Sequence, residues 1–176
     1  WYEREIKKYP ITLHLNTEVN GIETLQVDEV VIATGAKAKK LPVAGAEYAM
    51  DAVKYLLGEK EVGENVTIIG GGLTGCEIAY DLYQQGKKPT IVEMKNDLIA
   101  VKGVCLANSS YLRDFFTTNH VSVHLETKLS EIHPDGVTVT DKAGKSFKIE
   151  ADSVILSVGY DPAPAAAEGK HVHVIG

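Results

Sequence analysis

Cysteine is scarce, with only Cys76 and Cys105 in 176 residues. They stand too far apart for a CxxC redox pair and are too few for a metal knuckle. Both read as reduced thiols, and Cys76, inside a helical pattern, reads as a small buried hydrophobe. Positive charge is also short: 18 Lys and Arg stand against 24 Asp and Glu, a net charge of −6. No basic stripe interrupts this balance, which argues against nucleic acid as the main partner. No apolar run has the length that crosses a bilayer, and no secretory leader pattern opens the sequence. The expectation is a cytoplasmic protein without a membrane partner. The sequence opens at Trp1, in helix-like residues and without a methionine, so it is expected to be cut from a longer chain.

What is present is an ordinary globular mixture, 44% apolar, long enough to bury a core in one or two units. The six histidines are scattered. Only His171 and His173 are close, and two ligands on a strand face do not make a zinc site. Lys37, Lys39 and Lys40 form a small basic loop that reads as solvated. No Ser/His/Asp or Cys/His arrangement is suggested by spacing. No catalytic residue and no metal ligand are therefore named.

The most informative feature is an internal repeat. Ile11-Thr-Leu-His-Leu-Asn-Thr-Glu-Val19 matches Val121-Ser-Val-His-Leu-Glu-Thr-Lys-Leu129, and Asp28-Glu-Val-Val-Ile-Ala-Thr-Gly35 matches Asp152-Ser-Val-Ile-Leu-Ser-Val-Gly159. Helix-like stretches, Tyr2–Lys8 and Tyr111–Thr118, precede the first strand of each copy. The second copy also has a βαβ unit in front of it, and symmetry leads to the expectation that one precedes Trp1 in the parent protein. His14 and His124 correspond across the repeat and reflect ancestry or packing.

Within the second copy, Asn65–Ile69 is an apolar β-branched run typical of a buried strand. Leu73–Gln85 carries a helical stripe at Ile78, Ala79, Leu82 and Tyr83, and Gly86 follows as a stop signal. Pro89–Val92 and Val121–Leu125 read as strands, separated by a helix that Ser109 or Ser110 can cap. Three short alternating stretches near Leu129–His133, Val137–Thr140 and Ser146–Ile149, with turns at Pro134-Asp-Gly136 and Ala143-Gly144, suggest an antiparallel meander in place of a helical crossover. Ser153–Val158 closes the sheet. Tyr48–Leu57 reads as a short helix, Asp161-Pro-Ala-Pro164 as a linker, and His171–Ile175 as a strand returning to the first unit.

Gly70-Gly71-Gly72-Leu73-Thr74-Gly75 is a G-x-G-x-x-G between a predicted strand and a predicted helix. Glu93 ends the next strand, at the roughly 20-residue distance of a dinucleotide fingerprint. Gly70 permits the tight turn, Gly72 lacks a Cβ that would block a pyrophosphate, and Gly75 lets helix and strand pack closely. The helix start then offers N–H groups to the phosphates. Glu93 is placed to accept from ribose hydroxyls and to repel a 2′-phosphate, favouring NAD(H) over NADP(H). Lys95 nearby is a cation that could offset that preference. Glu77 reads equally as a dipole partner of the helix and as a cofactor contact. A glycine-rich turn without a ligand is the plain alternative.

With these motifs flanked by Ala33-Thr34-Gly35 and Ser157-Val-Gly159, the chain resembles the pyridine nucleotide–disulfide reductase superfamily. Glu61–Glu77 and Thr90–Met94 are most similar to the C-terminal part of 2-enoate reductases. These belong to the NADH:flavin oxidoreductase group that includes 2,4-dienoyl-CoA reductase and trimethylamine dehydrogenase. The resemblance implies an α/β, Rossmann-like FAD/NAD(P)-binding fold: a complete NAD domain with an antiparallel β-meander, inserted in a partial FAD domain. The implied domains are a partial FAD-binding domain at 1–50, an NAD(H)-binding Rossmann domain at 60–160, and a linker and return strand at 161–176. It further implies that Ala33, Thr34 and Gly35 lie close to flavin, that Gly159 and Glu77 lie near the nicotinamide, and that Val172–Gly176 leads to a flavin-contacting Gly-Asp. NAD(H) would be bound by this chain and FAD in the intact protein. FMN and an iron–sulfur cluster would belong to a missing N-terminal barrel of the same polypeptide. The implied activity is hydride transfer from NADH to FAD and onward reduction of an activated C=C bond, the isolated chain being inactive. Homo-oligomerisation is left open. The CxxC of thioredoxin-reductase-like members is lacking here, which disfavours that subclass. Two other functions compete: a non-redox ADP-binding structural domain, as in trimethylamine dehydrogenase relatives, and a methyltransferase, against which the repeat and Ala33-Thr34-Gly35 argue.

Overall fold

In the computed structural model, residues 1–163 and 169–175 are described. Pro164, the end of the expected linker, and Gly176 lie outside the described residues. The elements in chain order are α1 (Tyr2–Ile6), β1 (Val30–Ile32), β2 (Ala36–Ala38), β3 (Ala49–Asp51), α2 (Ala52–Leu56), β4 (Asn65–Ile69), α3 (Leu73–Gln84), β5 (Lys88–Val92), α4 (Leu106–Thr118), β6 (Ser122–His124), β7 (Lys128–His133), β8 (Gly136–Thr140), β9 (Ser146–Glu150), β10 (Ser153–Leu156), β11 (Tyr160–Pro162) and β12 (Val172–Val174), with 3₁₀ turns at Ile22–Thr24 and Ala46–Tyr48. They form two compact units, one from Trp1–Gly35 with Ala163–Gly176 and one from Ala36–Pro162.

The second unit is built on a five-stranded sheet in the order β3-β10-β4-β5-β6, with every pairing parallel. A parallel sheet is covered on both faces, so its central strands are apolar throughout. Accordingly Val66, Thr67, Ile68 and Ile69 are all buried. On one face Val66, Ile68 and Ile91 meet Cys76, Ile78, Ala79 and Leu82 of α3 and Leu112 and Phe116 of α4. On the other, Ile69, Val92 and Val154 meet Ile132, Val137 and Val139 of the antiparallel sheet β7-β8-β9. The expected α/β architecture and the meander in the last crossover are both present. Gly86, at φ +79, ends α3 in the left-handed conformation a side chain resists.

Some expectations fail, each for a physical reason. No strand forms over Ile11–Val19, and Ile11, Leu13 and Leu15 are exposed by half or more. Its sequence counterpart forms β6 because β5 lies beside it. Among the described residues no strand pairs with Ile11–Val19, and a strand exists only through its ladder. The stretch Tyr48–Leu57 is not one helix. Its first residues pair with β10, and Asp51 then accepts the Lys54 N–H at 2.9 Å and caps α2. Neither Ser109 nor Ser110 caps α4. The helix begins earlier, after Cys105, and the Ser109 hydroxyl donates back to the Leu106 carbonyl within the first turn. The expected linker starts as β11, paired antiparallel with β2.

In the first unit β1 pairs in parallel with β12. Glu29 precedes β1, and its carboxylate meets both His171 and His173, at 3.3 and 2.8 Å. These hydrogen bonds, that of His173 first, hold the Glu29 carboxyl below its ordinary range. No cluster of metal-ligating side chains occurs among the described residues. Nor is any helix among them long and apolar enough to cross a membrane.

Candidate functional site

The chain leaves β4 toward β5 and β6 on one side, whereas β10 inserts on the other. The carboxyl ends of β4 and β10 therefore border a topological switch point, where open α/β sheets leave a crevice. A cleft of about 630 Å³ opens there, lined by Ile69, Gly70, Gly72, Thr74, Glu93 and Gly159 among others.

The four glycines of the turn after β4 are used differently. Gly70 sits at φ +106, and a Cβ on it would lie 2.3 Å from the Ser157 carbonyl oxygen. A Cβ on Gly75 would lie 2.0 Å from the Gly70 oxygen, so α3 and the end of β4 are in backbone contact. Gly71 is pressed on by the Leu98 side chain, 2.5 Å from where its Cβ would be. Gly72 is the exception. Its φ of −69° suits any residue, and a Cβ there would meet no atom of the described residues within 4 Å. Neither the backbone nor the protein's own packing demands glycine at 72. The space its missing side chain leaves is the cleft itself, beside the start of twelve-residue α3. That floor of backbone suits a diphosphate, which needs N–H donors and close approach more than side chains.

Glu93, 8% exposed, follows β5 at the cleft's rim. One carboxylate oxygen accepts the Gly71 N–H at 2.6 Å and the other the Lys95 N–H at 2.8 Å. A carboxylate offers about four lone-pair sites, so two remain for a ligand. Lys95 turns its ammonium to the Ala100 carbonyl at 3.2 Å, which holds it to its own loop. Behind the turn the Cys76 thiol is fully buried, and burial, then the negative charge of Glu93, push its pKa up to about 12.

Of the sequence candidates in this unit, Gly70, Gly72, Thr74, Glu93 and Gly159 line the cleft; Gly71, Leu73, Gly75 and Glu77 do not. Leu73 packs on the core and Glu77 is exposed. Gly159 sits at φ +93, the counterpart of Gly35 at φ +80. In the first unit the Thr34 hydroxyl donates to the Ala163 carbonyl at 2.7 Å, the Gly35 carbonyl accepts the Ala163 N–H at 3.0 Å, and Ala33 is exposed. Sequence reasoning missed Leu41, Val43, Leu129, Val158 and Tyr160, which make the apolar wall of the cleft, and also Met94, Thr127 and Lys128. Leu129 was legible as a meander residue. Leu41 and Val43 carried no signal, because they lie in a segment without periodicity.

One residue near the turn is under strain. Ile99 is 3% exposed and lies at φ +50, where a β-branched side chain costs at least about 1–2 kcal/mol. Its N–H donates to the Gly71 carbonyl at 2.7 Å.

The model of the pyridine nucleotide-disulphide oxidoreductase family matches residues 4–175. The cinnamate reductase of Clostridium sporogenes is 39% identical over 163 residues, covering 91% of this chain and 24% of the relative. The NADH oxidase of Thermoanaerobacter brockii is 32% identical over 170 residues, covering 92% of this chain and 26% of the relative. Among solved structures, 2-naphthoyl-CoA reductase in complex with 2-naphthoyl-CoA is similar with a TM-score of 0.84 and 30% identity, covering 99% of this chain and 28% of that one. The chain thus spans about a quarter of the length of these relatives.

Proposed function

The chain belongs to the pyridine nucleotide-disulphide oxidoreductase family, and from that membership we propose that its Ala36–Pro162 unit is the NADH-entry module of a 2-enoate reductase-like flavoenzyme. The membership makes the chain a domain of a flavin-dependent pyridine nucleotide oxidoreductase; the cofactor contacts and the activity are the proposal. The observation that carries it is Gly72, a glycine that neither its φ nor its neighbours among the described residues demand, opening into a cleft at the switch point of a parallel sheet.

Gly70 and Gly75 bring the backbone close enough for a diphosphate to rest over Gly72 and the start of α3. Glu93, already oriented by two backbone N–H groups, accepts from the ribose hydroxyls and disfavours a 2′-phosphate. Leu41, Val43, Leu129 and Val158 exclude water along the cleft's apolar wall. Gly159 leaves room at the end near the nicotinamide, while Ala33, Thr34 and Gly35 belong to the flavin-facing part of the first unit. Cofactors held at such a site would supply hydride donation from NADH to FAD and, with FMN and an iron–sulfur centre in a barrel of the same polypeptide, the reduction of an activated C=C bond. The chain's own residues bind and orient for this transfer and need move no proton. In the first unit, a βαβ element beside β1 would supply the partner that the Ile11–Val19 segment lacks. By itself the chain is expected to be colourless and inactive.

Titration of the chain with NADH, NADPH and ADP tests the reading. NADH should bind more tightly than NADPH and more tightly than ADP. Equal affinity for ADP and NADH would replace it with a non-redox nucleotide-binding role, and no binding of any of the three would remove it.

A further inference from the structure

Three consecutive glycines, Gly70 to Gly72, form the turn after β4, a sequence with more intrinsic backbone freedom than any other. The peptide between Gly71 and Gly72 has no Cβ on either side to resist rotation. A peptide plane is rigid, with its C=O and N–H pointing in opposite directions. If this plane turned over, the Gly71 carbonyl oxygen would face the cleft, where it would repel a phosphate. In the structure that oxygen faces inward and accepts two donors, the Ile99 N–H at 2.7 Å and the Cys76 thiol at 3.4 Å. The Gly72 N–H lies on the opposite side of that plane, and Gly72 lines the cleft.

Ile99 reaches that oxygen only by adopting a left-handed conformation unfavourable to a β-branched residue. Strain of this kind persists where the surroundings impose it. Here Ile99 and Leu98 are packed in the core, and Arg113 of α4 holds the turn from outside: its Nη2 donates to the Leu98 carbonyl at 2.6 Å and its Nε to Asp97 at 3.0 Å. Leu98, so held, presses its side chain against Gly71. Neither Arg113 nor Ile99 lines the cleft.

We infer that the Asp97–Ile99 turn, set by Arg113, is a latch that prevents the Gly71–Gly72 peptide from flipping and so keeps the turn competent for a phosphate-bearing ligand. Arg113 and Ile99 are positioning residues. The inference rests on the nucleotide-binding reading of the cleft and specifies how the chain enforces it.

The test uses Arg113→Met in the full chain, with Asp97→Asn as the milder variant should the first fail to fold. Binding of ADP and of adenosine is measured by calorimetry, and exchange of the Ile99 amide by NMR. Wild type should show a protected Ile99 amide. The variant should lose that protection and bind ADP about tenfold more weakly, with adenosine affinity unchanged, because only a phosphate senses the flipped carbonyl. A variant that loses protection yet keeps its ADP affinity overturns the latch, as does one that loses ADP and adenosine equally. Should wild type bind neither, the reading of the cleft fails, and exchange alone judges the latch: an unprotected Ile99 amide in wild type refutes it.

Discussion

Glu93 and Gly71 are joined by a buried 2.6 Å hydrogen bond, the carboxylate accepting a backbone N–H across 22 residues of sequence. It ties the glycine-rich turn after β4 to the end of β5, the two walls between which a dinucleotide would lie. The carboxylate is therefore both part of the cleft's frame and its proposed sugar acceptor.

Glu93→Ala should weaken NADH binding by about 1–3 kcal/mol, the scale of hydrogen bonds to a charged group. Loss of the Gly71 contact should also lower the melting temperature. Calorimetry beside thermal unfolding separates the two, and an unchanged NADH affinity would refute the assignment.

The glycines should divide by their surroundings. Gly72→Ala should fold with near-wild-type stability, since its φ is ordinary and its Cβ meets nothing, yet bind NADH at least tenfold more weakly because the methyl enters the cleft. Gly75→Ala, whose methyl would meet the Gly70 oxygen at 2.0 Å, should instead lose roughly 2 kcal/mol or more of stability. The opposite pattern in denaturant titrations would show that the cleft is misplaced.

The two thiols should differ sharply. Cys105 is exposed and Cys76 buried, its pKa raised to about 12. The thiolate is the reactive form, so iodoacetamide at pH 8 should modify Cys105 alone in the native chain and both after unfolding. Rapid native labelling of Cys76 would mean that the packing behind the turn opens readily.

His124 is half-buried, its ring tilted by 49° to that of Phe147 with centroids 5.5 Å apart, and burial lowers its pKa below 6.5. The unfolded chain then binds a proton more readily than the folded one, so stability is lost as pH falls below about 6.5. His124→Gln should lose less stability than wild type between pH 7.5 and pH 5, measured by thermal unfolding. Parallel losses would sink this account.

Thr67 lies in the middle of β4, 1% exposed, its hydroxyl without a partner among the described residues. A buried orphan oxygen costs free energy that an isosteric methyl avoids. Thr67→Val should be neutral to about 1 kcal/mol more stable, and a clear loss in urea unfolding would indicate an unseen partner such as a buried water.

Much of this was legible because it depends on neighbours in sequence. The run Asn65–Ile69, the stripe from Ile78 to Tyr83 and the stop at Gly86 are local signals that any partner surface would satisfy. The glycine pattern from Gly70 to Gly75 with Glu93 was legible too, and of these residues Gly70, Gly72, Thr74 and Glu93 line the cleft. The segment Ile11–Val19 shows the limit. Its residues match those forming β6, yet without a paired neighbour they form no strand. Tyr48–Leu57 likewise became a strand and a helix because β10 offered an edge to Ala49–Asp51.

The sequence by itself determined the class of fold, the order of the elements from β4 to β10 and the glycine-rich turn between β4 and α3, since these follow from side-chain size, periodicity and backbone freedom along the chain. Only the tertiary structure decided which glycine opens on the cleft, that Leu41 and Val43 complete its wall, and that a strained Ile99 grips the Gly71 carbonyl. Those are meetings between segments remote in sequence, and no local preference specifies them: Ile99 adopts an unfavourable conformation that only its packed surroundings enforce.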